Sequence, residues 1–295
     1  MTPLAPIQAT FREGLRRLDL VSRRGSRTGQ RGEQTSSRKG QGVEFADHRP
    51  YVPGDDPRFL DWAAYARQGR PVVKEFLEET DLALTIVIDA SASMALPDEA
   101  SRYRVGATIG FVLCSIALLR HNRAGVLIVT EQGVHYLPPS RGEAQGALIR
   151  EGLESVTPTG RTRLAEAMAT HFSAVRPEGL VWVISDLYDP AGPDHVVDCL
   201  VHFGLDGGVI LMTDDREVDA IPIGPAELTD TETAERLRLV ISPERRTAMS
   251  TALKRWHSEV AGYARDHGVF LVEAEVHHPI EATIQDWARR GWVVR

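Results

Sequence analysis

The stretch LALTIVIDASASM, residues 82–94, decides the fold. From Leu82 to Ile88 only Thr85 interrupts an apolar, largely β-branched run, which is the composition of a strand covered on both faces rather than of one with a wet side. The run stops at Asp89, after which Ser91 and Ser93 follow at every second position. Reading outward, similar short apolar runs recur at Gly125–Thr130, Leu180–Ser185, Val209–Met212 and Val269–Val272. Between them lie helical stretches at about Ser101–Asn122, Gly142–Ser155, Leu164–Val175, Asp194–Phe203 and Pro243–His267. Strands and helices in alternation predict an α/β fold with a doubly wound, mostly parallel sheet. Val134–Leu137 comes too soon after its predecessor for a helical crossover and is expected as an antiparallel edge strand formed by a hairpin.

In such a sheet ligands bind at the carboxyl ends of the strands, beside the point where strand order reverses. Asp89, Ser91 and Ser93 place one carboxylate and two hydroxyls there, hard oxygen donors that a tight loop can gather around a small cation. The turn Gly160–Leu164 adds the Thr162 hydroxyl, and Ser185, Asp186 and Leu187 add a second carboxylate at another strand end. If those two strands are neighbours, all five oxygens converge. Ser91 and Ser93 as simple caps and Asp186 as a turn residue form the competing, purely structural reading. Other clusters are weaker. His195 and Cys199, or Asp198 and His202, read as one helical face, His277 and His278 as part of a turn before Pro279, and Thr213, Asp214 and Asp215 receive no role.

Composition narrows the function classes. Of 295 residues 42% are hydrophobic and 25% charged, with a net charge of −7, values of a globular chain and not of a nucleic-acid binder working through its whole surface. The longest uncharged stretch, Val105–Leu119, falls short of the ~20 residues a bilayer needs. Residues 1–20 carry Arg12, Glu13, Arg16, Arg17 and Asp19 where a signal peptide needs an apolar core. No transmembrane segment and a cytoplasmic location are therefore expected. Cys114 and Cys199 are too few for a disulfide framework or a cysteine zinc site. Both are read as buried, inert thiols.

Three regions follow from these patterns. Residues 1–41 hold Leu4, Ile7, Phe11, Leu15, Leu18 and Leu20 at roughly helical spacing, then a basic, apolar-poor arm, read as a flexible linker. An arm touching RNA or anionic lipid is the alternative, weakened by the lack of interleaved aromatics. Residues 42–80 hold a turn at Pro53–Pro57, with Asp56 as N-cap and Pro57 opening a helix through Arg67. Around it crowd Glu44, Arg49, Arg58, Asp61, Arg67, Lys74 and Glu75 among Phe45, Tyr51, Phe59, Trp62 and Tyr65, expected as an ion-pair network fastening this segment to the main domain, with an exposed partner-binding surface as the alternative. Residues 81–295 form that domain, closed by Thr229–Ile241, a helix with Leu253, Trp256, Val260 and Tyr263, a strand, and a last helix with Ile284, Trp287 and Ala288.

Asp89, Ser91, Ser93, Thr162 and Asp186 resemble, in order and approximate spacing, the metal-ion-dependent adhesion site of von Willebrand factor A domains. Gly42, Glu44, Phe45, Arg49, Tyr51, Gly54, Asp55, Asp56, Arg58, Asp61, Trp62, Ala66 and Arg67 are similar to the signature of the bacterial domain-of-unknown-function family 58, in a short form without membrane helices. The resemblance implies a von Willebrand factor A-like sheet and a non-enzymatic adaptor or scaffold. It implies Mg²⁺, with Mn²⁺ or Ca²⁺ as alternatives, with Ser91, Ser93 and Thr162 as direct ligands and Asp89 and Asp186 acting partly through bound waters. A protein partner would supply an acidic residue to the metal, and a MoxR-type AAA+ ATPase is the implied companion in a chaperone-like or complex-maturation system.

A Mg²⁺-dependent phosphohydrolase is the rival reading, since metal and a strand-end aspartate also serve phosphate chemistry. The sequence has no phosphate loop ending in Lys and Ser or Thr, no paired-aspartate nucleophile on the first strand and no Gly-x-Ser-x-Gly elbow. A non-enzymatic role is therefore expected.

Overall fold

The computed structural model describes residues 2–6, 9–21, 44–52, 58, 60–77, 82–97 and 101–295. The chain divides into two compact units, Gly25–Asp81 and, together, Met1–Arg24 with Leu82–Arg295. In the smaller unit strand β1 (Glu44–Pro50) pairs antiparallel with β2 (Val72–Leu77). The helix between them starts at Trp62, not at Pro57. Asp61 is its cap, its side chain accepting from the amides of Ala63 and Ala64, and Gly69 ends it in the left-handed conformation at φ 67°. The expected cap Asp56 and Pro57 lie outside the described residues. Within the anticipated ion-pair cluster Asp61 works as this cap and Trp62 and Tyr65 are exposed, while the side chains of Glu44, Phe45, Arg49, Lys74 and Glu75 are outside the described set.

The larger unit is built on a six-stranded sheet. Its strands are β3 (Ala83–Asp89), β4 (Arg123–Thr130), β5 (Gly133–Ser140), β6 (Leu180–Ser185), β7 (Asp206–Thr213) and, after a separate hairpin of β8 (Gly224–Thr229) and β9 (Arg236–Ile241), β10 (Phe270–Glu275). The order is β10-β7-β6-β3-β4-β5. All neighbours run parallel except β5, which pairs antiparallel with β4 as the edge strand. The chain moves from β3 outward through β4 to β5, then returns to lay β6 on the other side of β3. The reversal of strand order therefore falls between β3 and β6, whose registers match from Leu84 opposite Leu180 to Ile88 opposite Ile184.

Alternation along β3 splits the core into two layers. Leu84, Ile86 and Ile88 belong to one cluster, with Ile109, Val112 and Ile116 of the helix Arg102–Leu119, Ile149 and Leu153 of Glu143–Ser155, and Ile284 and Trp287 of Ile280–Arg290. Val87 belongs to the other, with Met168 and Phe172 of Leu164–Ala174, Val196 and Leu200 of Pro193–His202, and Val260 of Pro243–Asp266. Leu15 and Leu20 are buried in the first cluster, where Leu4, Phe11 and Leu18 pack beside them. Leu20 also forms a bridge with Val294, so the two chain ends are tied together. Ile7 lies outside the described residues.

The helix Arg102–Leu119 sits closest to the sheet. A Cβ on Gly106 would lie 2.7 Å from Ile184 Cγ2, and one on Gly110 3.0 Å from Ile86 Cγ2, so hydrogen at both positions sets the spacing. Its 18 residues have a mean hydropathy of 1.4, enough by length and composition to cross a membrane, yet 72% are buried inside the fold as the central helix of one layer. Cys114 and Cys199 are both buried, and burial pushes the Cys199 thiol up to about 11 and Cys114 further, away from the thiolate that reactivity requires.

Candidate functional site

The carboxyl ends of β3 and β6 bring the five predicted residues together. Asp89 is the last residue of β3 and Asp186 follows the last residue of β6. The Ser91 amide donates to Asp89 Oδ1 at 3.0 Å, which bends the loop back on the strand end. A single 3-10 turn, Ser93–Ala95, then carries the second serine round, with the Ser91 and Ser93 hydroxyls 3.0 Å apart. Thr162 arrives from a separate loop and donates to Asp89 Oδ1 at 2.9 Å. Two backbone bonds lace the loops together, from the Ala92 amide to Gly160 O at 2.9 Å and from the Thr159 amide to Ala90 O at 3.1 Å. Gly160 takes φ +67°, a conformation in which a side chain would run into the Glu131 carboxylate.

All five residues are buried: Asp89 is 4% exposed, Asp186 2%, Ser91 1%, Thr162 4% and Ser93 8%. Burial raises the Asp89 carboxyl above its ordinary range, against hydrogen bonds from Thr162, Ser185 and Ser91 that favour the anion. Asp186 is pushed up to about 7, first by burial and then by the neighbouring Asp89, with Arg102 pulling the other way. Asp186 Oδ1 accepts from the Tyr188 amide at 3.2 Å, but Asp186 Oδ2 is buried with no hydrogen-bond partner among the described residues. A buried carboxylate oxygen without a donor costs several kcal/mol in ionised form, by the order of magnitude for unpaired buried charge. Two buried carboxylates, of which only Asp186 has an oxygen lacking a donor, edged by three neutral hydroxyls, are an all-oxygen donor set that suits a hard divalent cation such as Mg²⁺.

Three participants were not anticipated from the sequence. Ser185 donates to Asp89 Oδ2 at 2.9 Å and accepts from the Leu187 amide at 2.8 Å, holding the strand-end carboxylate from the β6 side. Its signal was present, as the hydroxyl directly preceding Asp186. Arg102, which looks like a solvated residue at a helix start, is 2% exposed. It donates to Ser93 O at 3.4 Å and forms an ion pair with Glu217. Glu232, in the loop joining β8 to β9, is partly buried, and burial raises its carboxyl above the ordinary range, with Asp89 adding to the rise and Ser93 opposing it. No local pattern marks it.

A second acidic group lies further along the same edge. Ligand atoms of Asp214, Glu275 and His277 all fall within 4.8 Å of one another, although the sequence reading gave Asp214 no role and His277 only a turn. Here the oxygens are engaged: Asp214 Oδ1 accepts from the Arg216 amide at 2.9 Å and lies 3.3 Å from His277 Nε2, and Glu275 Oε2 accepts from the His277 amide at 2.8 Å. The helical pair around Cys199 is structural, with Cys199 turned into the core and Asp198 accepting from the Tyr263 hydroxyl at 2.8 Å. Cavities of about 800 and 530 Å³ open elsewhere, and none of the five predicted residues lines either.

Among solved structures the chain is similar to the conserved hypothetical protein BatB from Bacteroides thetaiotaomicron, at 14% identity and a TM-score of 0.44 over 71% of this chain and 98% of that one. It is also similar to the SpRpn10 VWA domain, at 10% identity and a TM-score of 0.38 over 70% of this chain and 94% of that one. Uncharacterized proteins of Mycobacterium tuberculosis and Mycobacterium bovis are each 27% identical to it over 256 residues, covering 84% of this chain and 77% of theirs. The family described as "Protein of unknown function DUF58" matches residues 47–259, the greater part of the sequence, and the chain belongs to that family.

Proposed function

We propose that this chain is a non-enzymatic protein-interaction module whose binding face is completed by a divalent cation, Mg²⁺ first, held by Asp89, Ser91, Ser93, Thr162 and Asp186. The observation that carries the reading is Asp186 Oδ2, a buried carboxylate oxygen with no donor, set beside a second buried carboxylate and a ring of hydroxyls. When bound, the cation supplies a positive coordination point that an acidic side chain of another protein can occupy. The chain's own residues do the positioning. Ser185 and Thr162 hold the two oxygens of Asp89, the Tyr188 amide fixes one oxygen of Asp186, and Arg102 offsets part of the excess negative charge.

Partner choice then rests on one carboxylate reaching one corner of the sheet, an adaptor's chemistry and not a catalyst's. The family resemblance supports a MoxR-type AAA+ ATPase as companion, in a chaperone-like or complex-maturing assembly in the cytoplasm. Titration calorimetry with MgCl₂ tests the core of this reading. The wild-type chain should bind one equivalent and Asp89→Ala none, with the circular dichroism spectrum unchanged. Equal heats in the two proteins would remove Asp89 from the metal and the proposal with it. Capture of the ATPase from a lysate should likewise disappear on chelation with EDTA.

A further inference from the structure

The loop after β3 and the loop after β6 are joined a second time, outside the set of five oxygen donors. On the serine side, Ser93 O accepts from Arg102 Nη1 at 3.4 Å. The other arm of that guanidinium, Nη2, pairs with Glu217, whose Oε2 also accepts from the Tyr188 hydroxyl at 3.4 Å. The Tyr188 amide then donates to Asp186 Oδ1 at 3.2 Å, and the Arg102 guanidinium carbon lies 6.0 Å from the centre of the Tyr188 ring. A chain of contacts through Arg102, Glu217 and Tyr188 thus runs unbroken from the Ser93 backbone to the Asp186 carboxylate. Its members are well anchored. Arg102 is 2% exposed, the Glu217 side chain is only partly exposed, and the Tyr188 ring rests with its centre 5.3 Å from that of Trp256. Glu217 itself comes from the turn after β7, closed by its own amide on Asp214 O at 3.3 Å and by the Ala220 amide on Arg216 O at 2.8 Å.

A cation corner needs donors of the right kind and a fixed spacing between the loops that carry them. Mg²⁺ demands a near-octahedral shell with oxygens at about 2.0–2.1 Å, whereas Ca²⁺ takes roughly six to eight oxygens at about 2.3–2.6 Å in looser arrangements. Loops free to part therefore favour the larger ion, and loops held at one separation can favour the smaller. Ser91 and Ser93 come from one loop and Asp186 from the other, so their separation is what the outer chain of contacts sets. We propose that Glu217 is a positioning residue which, through Arg102 and Tyr188, holds the serine loop and Asp186 at a spacing that selects Mg²⁺ over Ca²⁺. The inference rests on the metal-binding reading above and adds to it the source of the ion preference. Charge alone would act differently: one negative charge fewer near the corner weakens the attraction for every divalent cation alike.

Calorimetric titrations of the full chain with MgCl₂ and with CaCl₂ test this, the quantity of interest being the ratio of the two dissociation constants. Glu217→Ala should weaken Mg²⁺ binding about tenfold, the scale for residues that orient metal ligands from outside the ligand set. Its Ca²⁺ affinity should fall no further than that of Glu217→Gln. The glutamine variant drops the charge but keeps an acceptor for Arg102 and Tyr188, and should retain most of the wild-type ratio. Tyr188→Phe removes one link while keeping the amide on Asp186, and should move the ratio in the same direction as Glu217→Ala by a smaller factor. The positioning role is wrong if the wild type prefers Ca²⁺, if Glu217→Ala loses affinity for both ions by the same factor, or if it loses none. In each of those cases the metal reading still stands, provided the wild type binds Mg²⁺ and Asp89→Ala does not. A wild type that binds neither ion overturns both.

Discussion

Two acidic corners stand on the same edge of one sheet. At the ends of β3 and β6, Asp89 and Asp186 are both buried and one oxygen of Asp186 has no donor. At the ends of β7 and β10, ligand atoms of Asp214, Glu275 and His277 lie within 4.8 Å of one another, but turn amides and His277 already engage Asp214 Oδ1 and both oxygens of Glu275. Counting acidic groups ranks the two alike. What separates them is unmet demand: a carboxylate that a turn already satisfies gains little from a metal, whereas one left without a donor in a buried place gains most of its missing stabilisation from it. A divalent cation should therefore discriminate sharply between the corners.

The largest effect expected is on binding and pairs one variant from each corner. Asp186→Asn should abolish Mg²⁺ binding by calorimetry, and Asp214→Asn should leave it within twofold of the wild type. The same pair should differ in opposite sense in stability without metal. At pH 8 Asp186 is ionised in a site that raises its carboxyl to about 7, so the neutral amide should stabilise the metal-free protein by about 1–3 kcal/mol in urea unfolding. Asp214→Asn loses its charge-assisted bond to the Arg216 amide and should cost about 1 kcal/mol. A loss of stability in Asp186→Asn would show that the corner is satisfied in a way its geometry does not reveal.

A smaller effect concerns how the first corner is held. The helix Arg102–Leu119 brings Arg102 to Ser93, and it can do so because Gly106 lets the helix meet β6 at Ile184. A methyl placed 2.7 Å from Ile184 Cγ2 must push the helix or the strand aside. Gly106→Ala should therefore destabilise the protein by about 1–3 kcal/mol, the usual range for overpacking a tight core contact. It should also weaken Mg²⁺ binding severalfold, because the strand carrying Ser185 and Asp186 would move. Stability lost with affinity unchanged would show that Arg102 and the helix have no part in positioning the corner.

The sheet was legible because its signal is local and repeated. Continuous apolar runs such as Leu82–Ile88 and Leu180–Ser185 have one plausible home, and the short spacing before Val134 left only an antiparallel edge for β5. The five strand-end oxygens were legible for a related reason: doubly wound topology puts the ends of its strands at one edge, so chemistry written at two such ends must meet if the strands adjoin. Arg102 and Glu232 were not legible. Arg102 owes its place to tertiary packing, the close approach at Gly106, and Glu232 sits in the loop of a hairpin that pairs with no other described strand. The helix at Trp62 shows a different failure: Asp56 followed by Pro57 drew the expected start there, and Asp61, read only as part of the charged cluster, is the residue that caps the helix.

The smallest effect expected is also the most pointed, because it asks whether the second corner does anything. His277 contacts Asp214 through Nε2 at 3.3 Å and its amide closes the turn on Glu275, a bond that belongs to the backbone and survives loss of the ring. With the side chain partly exposed, its pairing with Asp214 is worth little beyond its share of a half-solvated contact. His277→Ala should therefore change stability by no more than about 0.5–1 kcal/mol and leave the Mg²⁺ titration superimposable on that of the wild type. A binding curve that loses a second, weaker step in this variant would mean that the turn holds an ion after all. Satisfied oxygens would then be no bar to a metal, and the contrast between the two corners would have to rest on burial alone.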